Sequence, residues 1–183
     1  MLAELGAPYH LGGSLASSIH GFARATLDAD LVADLRPGQG RKIAERLGGS
    51  FYADADALET AIETRRSFNV IHLESMFKVD VFVLKDTAFD RESFSRSRRE
   101  AIGDVAEDVR VSTPEDTVLH KLLWYEKGGR VSERQWNDLV GVIEVQGKRI
   151  DDLYLDRWAR ELGLEPLLAA ARAEAERRLR AEP

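Results

Sequence analysis

Two carboxylates stand one residue apart in a segment that otherwise reads as a buried strand. From residue 26 to residue 35 the chain runs TLDADLVADL, with the two-residue apolar alternation of a strand. Residues i and i+2 of a strand share a face. Asp28 and Asp30 therefore point the same way, roughly 6–7 Å apart at Cα, while Leu27, Ala29 and Leu31 point the other way, into a core. Such a segment requires a sheet with one apolar face and one face that tolerates adjacent negative charges.

The neighbouring sequence supplies the rest of that sheet. PYHLG, residues 8–12, reads as a short strand running into a glycine turn. SFNVIHLES and MFKVDVFVL are two further strands separated by the polar Glu74-Ser75 turn, the pattern of a hairpin. Between them, PGQGRKIAERLGG reads as a helix opened after Pro37 and closed by Gly48 and Gly49, and DADALETAIETRR as a second helix. REAIGDVAEDVRVSTP is strand-like, and RESFSRSRRE reads as a solvated loop. From Thr113-Pro114 onward the pattern is helical, punctuated by Gly128-Gly129, Gly147 and Gly163. Trp124, Trp136 and Trp158 recur along these helices, where core packing is expected. The expected fold class is α+β: a small mixed sheet with flanking helices over residues 1–112, then a helical part over residues 113–183 packed on that core.

A third acid lies on the second hairpin strand. In FKVDVFV, Phe77, Val79, Val81 and Val83 share one face, and Lys78, Asp80 and Phe82 the other. Side-by-side carboxylates repel unless a cation lies between them, and hard divalent ions take carboxylate oxygens and ligate phosphate. If the two strands are neighbours, Asp80 joins Asp28 and Asp30 in a two-metal site with ions about 3.5–4 Å apart. The plainer alternative is a solvated acidic sheet face, and spacing alone leaves both readings standing.

SLASSIHG looks like a short helix with Ser14 as N-cap and Gly21 as stop. A strand, then Gly12-Gly13-Ser14, then a helix is a phosphate-binding arrangement. Glycines allow close backbone approach, and the helix start offers N–H groups and a positive dipole end. Ser14 adds a hydroxyl, and Arg24 a charge that can pair with phosphate. The alternative is a plain glycine turn capped by serine. No Gly-Lys-Ser/Thr follows, so this is not a Walker loop. GQGRKI is not a dinucleotide fingerprint, because Ile43 stands where the third glycine belongs.

Composition narrows the classes. The 183 residues are 44% hydrophobic and 32% charged, a globular composition. A net charge of −6 makes the chain a poor general binder of nucleic acid. There is no cysteine, which removes disulfide and thiol chemistry and suits a cytoplasmic location. The start MLAELGAPYHLGG has no basic segment, so no signal peptide is expected, and no apolar run approaches the ~18 residues of a membrane span. The four histidines have no zinc-ligand spacing, and no nucleophile elbow is present.

Gly12-Gly13-Ser14, then Asp28-Ala29-Asp30, then Asp80 together resemble the nucleotidyltransferase superfamily, the polymerase-β-like fold. The string GGSLASSIHGFARATLDADLV is similar to the bacterial abortive-infection nucleotidyltransferase toxins and their uncharacterised relatives. The similarity extends to Lys121 in EDTVLHKLLWY and to the Arg134 and Asp138 of SERQWNDLVGV, so it spans roughly residues 8–145. Ala29 departs from the bulkier apolar residue usual in the family, and many of the toxins are larger than this chain. The resemblance implies transfer of an NMP from an NTP to an RNA or protein acceptor, with Mg²⁺ or Mn²⁺ as cofactor. Asp28, Asp30 and Asp80 would be catalytic and metal-binding, and Gly12, Gly13, Ser14, Arg24, Lys121 and Asp138 nucleotide-binding. The resemblance also leaves open an inactive nucleotide-binding protein, or one half of a toxin–antitoxin pair with a small protein partner.

Overall fold

A computed structural model describes residues 1–101 and 109–181. The chain forms two compact units, one of residues 1–12 and 26–111, the other of residues 13–25 and 112–183. The segment 13–25, read from sequence as part of the α/β core, thus groups with the C-terminal helices.

The first unit holds a seven-stranded mixed sheet in the order β3-β4-β5-β2-β1-β7-β6. Its strands are β1 (Tyr9–Leu11), β2 (Asp28–Ala33), β3 (Phe51–Tyr52), β4 (Ser67–His72), β5 (Lys78–Val83), β6 (Arg98–Glu100) and β7 (Val109–Val111). The strands β4 and β5 form the expected antiparallel hairpin. The central pair, β2 and β5, is parallel, with Asp28 opposite Lys78 and Asp30 opposite Asp80.

That register sorts the side chains. Leu31, Ala33, Val79, Val81 and Val83, with Phe68 and Val70 of β4, meet Ile43 of α2 (Gln39–Leu47) and Leu58, Ala61 and Ile62 of α3 (Ala55–Glu63) in one apolar core. The helix α2 opens two residues after Pro37, and Asp54 caps α3 by accepting from the backbone N–H groups of Asp56 and Ala57. The opposite sheet face carries the acids. His10 also lies on that face and is buried against Phe94 of α4 (Ala88–Arg96), with ring centroids 5.0 Å apart.

The helix α4 corrects one expectation. RESFSRSRRE is not a loop: its first six residues complete α4, capped by Thr87 and anchored by buried Phe89 and Ser93, and Arg98–Glu100 form β6. Of the strand expected at 99–114, residues 102–108 lie outside the described residues, and the ends pair as β6 and β7.

The second unit contains α1 (Gly13–His20), α5 (Pro114–Lys127), α6 (Glu133–Gln146), α7 (Asp152–Glu161) and α8 (Glu165–Ala181). Its core includes Val118, Leu119, Leu122, Leu139, Val140, Leu155, Trp158 and Leu168. Trp158 is buried as expected, but Trp124 is half exposed, because it falls on the outer face of α5. Among the described residues no helix is long and apolar enough to cross a membrane.

The contact of α2 with α3 yields a stability test. A Cβ added at Gly40 would lie 2.6 Å from the Glu59 backbone nitrogen, whereas one at Gly49 would meet nothing within 4 Å. Gly40→Ala is expected to lower the unfolding free energy by about 1–3 kcal/mol, the range for overpacking a tight contact. Gly49→Ala is expected to stay close to wild type, and urea unfolding of both variants is the check.

Candidate active site

Each unit contributes one cluster, and the two are described separately. In the sheet unit, the parallel register puts Asp28, Asp30 and Asp80 on one face of adjacent strands. Asp30 and Asp80 are directly opposite each other, and Asn69 of β4 flanks Asp80. All three carboxylate residues are partly buried. Thr26 donates its hydroxyl to Asp28 Oδ1 at 2.7 Å, which fixes that carboxylate. The backbone N–H of Gly12 donates to the Asp30 carbonyl at 2.9 Å, so Gly12 continues the β1–β2 pairing.

Lys78 lies in the same cluster. Its Nζ is 2.5 Å from Asp80 Oδ2. The hydrogen bond to Asp80 raises the ammonium above the ordinary lysine value; partial burial opposes this, and the charges of Asp80, Asp28 and Asp30 add to the rise. One cation thus feels all three acids. The sequence placed Lys78 on the Asp80 face but gave it no role; its position two residues before an acid, across from the Asp-x-Asp pair, was the available signal. Among the described residues no three acidic or imidazole side chains form a ready ion cage. As it stands, the Asp80 carboxylate is engaged by Lys78. The donor chemistry of the face, carboxylate oxygen throughout, fits a hard divalent cation.

In the helical unit, Gly13 opens α1 with φ of +53°, a left-handed conformation that suits glycine. Ser14 lies inside the first helical turn and not at the cap position expected for it. Its hydroxyl accepts from Arg24 Nη2 at 2.7 Å. Arg24 also grips Asp138 with two bonds, Nε to Oδ1 and Nη2 to Oδ2, each 2.8 Å. Lys121 reaches the same carboxylate at 2.8 Å and Gln135 Oε1 at 3.2 Å. The Lys121 side chain is only 4% exposed, and that of Asp138 8%. The structure buries Lys121 on α5, and α6 supplies Gln135 and Asp138 to it. Gln135 was missed, while Arg134 of the same motif is exposed.

The cluster depends on close packing of α1 with α6. A Cβ on Gly21 would fall 2.9 Å from the Val142 backbone nitrogen and 3.0 Å from the Gly141 carbonyl carbon. Gln146 donates to the His20 carbonyl at 2.6 Å, and His20 Nε2 donates to the Ser112 carbonyl at 2.7 Å. These bonds place Arg24, three residues past Gly21, against Asp138. Arg24 and Lys121 thus meet on one carboxylate, and Arg24 also reaches Ser14 at the start of α1. Burial pushes Asp138 upward, but the hydrogen bonds and charges of Arg24 and Lys121 win and hold it below the ordinary carboxylate value.

No protein-family model matches the chain, and no curated protein matches it. Solved structures do. The antibiotic-resistance factor ANT(2'')-Ia, determined in solution, is similar with a TM-score of 0.50 at 16% identity, over 92% of this chain and 91% of that one. An antigenic nucleotidyltransferase-like protein from Paracoccidioides brasiliensis gives 0.46 at 14% identity, over 94% and 87%. ANT(2'')-Ia in complex with adenylyl-2''-tobramycin gives 0.42 at 16% identity, over 94% and 91%. The likeness is one of fold: the chain carries the nucleotidyltransferase fold that its glycine turn and three acids resemble.

The helical cluster has a pH signature. Because the folded Asp138 titrates lower than an unfolded aspartate, its stabilisation is complete above about pH 4 and is lost as pH falls through the folded value. Asp138→Asn removes the anion that Arg24 and Lys121 share and is expected to cost about 3 kcal/mol at neutral pH, as breaking a buried pair does. The gap between wild type and variant is expected to narrow below about pH 4, which urea unfolding across pH measures.

Proposed function

We propose that this chain, built on the nucleotidyltransferase fold, transfers a nucleoside monophosphate from an NTP to a hydroxyl of an RNA or protein acceptor and releases pyrophosphate. The observation that carries the reading is the β2–β5 register, which sets Asp30 opposite Asp80 and keeps Asp28 on their face. An in-register pair of like charges destabilises a sheet and persists where a cation is to be held.

In this reading Asp28 and Asp30 hold two Mg²⁺ or Mn²⁺ ions, and Asp80 helps bind one. When bound, the ions neutralise phosphate oxygens and favour the attacking alkoxide. Asp80 accepts the acceptor hydroxyl proton as the new oxygen–α-phosphorus bond forms and the bond to pyrophosphate breaks. Gly12, Gly13 and Ser14 hold the phosphates, the last two through backbone N–H and hydroxyl groups at the start of α1. Arg24 fixes the Ser14 hydroxyl. Lys121 and Arg24 supply the positive charge, and Asp138 orients both. The reaction rests on positioning and charge stabilisation, as phosphoryl-group chemistry requires. One half of a toxin–antitoxin pair with a small protein partner is the alternative that the sequence resemblance leaves open, and a cytoplasmic location is proposed from the absence of cysteine.

Binding of NTP is expected to depend on metal. With Mg²⁺ or Mn²⁺ present, NTP at about a hundred times its Kd stabilises the native state by about 2.7 kcal/mol and raises the melting temperature. Without a divalent ion the shift disappears, and Asp30→Asn abolishes it while keeping the fold. Equal shifts with and without metal, or in the variant, contradict a metal-bound triphosphate.

A further inference from the structure

We infer that Lys78 is the resident counter-cation of the acid face, and that a divalent ion enters by displacing its ammonium from Asp80. The inference rests on the metal reading of Asp28, Asp30 and Asp80 and adds how that site is gated.

Lys78 begins β5 two residues before Asp80, so both side chains leave the same face, and its register partner is Asp28. Its ammonium is 2.5 Å from Asp80 Oδ2. The ammonium therefore occupies the Asp80 carboxylate that the ion needs. A neutral residue at position 78 would remove the ammonium from Asp80, which stands in register with Asp30. Lysine suits the position because its charge sits on a flexible stem. The side chains are 40% and 21% exposed, so the pair is partly wet and a weak lock.

A tethered ammonium also discriminates. A monovalent ion offers no more charge than Lys78 and must come from bulk solution, whereas Lys78 is always at hand. A divalent ion brings twice the charge and can use Asp28 and Asp30 at the same time. Lys78 thus keeps the face closed to monovalent ions and sets a threshold for divalent ones. The released ammonium moves outward into water along its exposed side.

Direct Mn²⁺ titration, followed by the electron paramagnetic resonance signal of unbound Mn²⁺, tests this without any turnover. The proteins are wild type, Lys78→Met and Lys78→Arg, each checked for fold by circular dichroism. Lys78→Met is expected to bind Mn²⁺ roughly tenfold more tightly, the order expected from removing one competing charge a few ångströms away in a partly wet site. Added potassium is expected to weaken Mn²⁺ binding more in Lys78→Met than in wild type, and Lys78→Arg to restore wild-type behaviour. Equal or weaker Mn²⁺ binding in Lys78→Met overturns the role of Lys78 and leaves the metal site standing. Absence of Mn²⁺ binding in both wild type and Lys78→Met overturns the metal reading and this inference together.

Discussion

The parallel pairing of β2 with β5 is the constraint on which the sheet unit turns. Two residues of register fix everything on the acid face: Asp28 meets Lys78 and Asp30 meets Asp80. A slip of one residue in β5 would send Asp80 into the core beside Val70 and Ile43 and bring Val79 and Val81 out to water. The apolar cost of that slip is what holds like charges opposite each other. The hydrophobic face thus enforces an electrostatic arrangement that the acids alone would avoid, and Lys78 relieves part of the repulsion.

The helical unit solves a different problem by the same means. Asp138 and Lys121 are nearly inaccessible, and burial of either alone would be costly. Arg24 completes the set because glycine at positions 21 and 141 lets α1 approach α6 closely enough for its guanidinium to meet Asp138 squarely. Packing of small residues therefore fixes the Ser14 hydroxyl through Arg24. A change at Gly21 would reach the start of α1 without touching it.

Local periodicity made much of this legible. The alternation in TLDADLVADL and the hairpin around Glu74-Ser75 are short-range signals, and each matches an element. Which strands become neighbours is a long-range outcome, so a shared face for all three acids was expected only on condition that β2 and β5 met. The helix α4 was misread because its sequence is rich in serine and arginine, and few of its residues, Phe89 and Ser93 among them, are buried. The burial of Lys121 was also hidden: the residues that satisfy it, Gln135 and Asp138, come from another helix. Residues 13–25 read as part of the core because they lie between two strands in sequence, while the bonds of His20 to Ser112, Arg24 to Asp138 and Gln146 to His20 span more than ninety positions.

The account stands or falls on whether the acid face supports chemistry. The direct measurement is to incubate the protein with Mg²⁺, each α-phosphate-labelled NTP in turn, and total cellular RNA and protein, with Asp80→Asn alongside. The account predicts label in an RNA or protein band with one or more of the nucleotides, pyrophosphate released in step, and neither with Asp80→Asn. Equal labelling by wild type and Asp80→Asn, or none by wild type with any nucleotide, would contradict it.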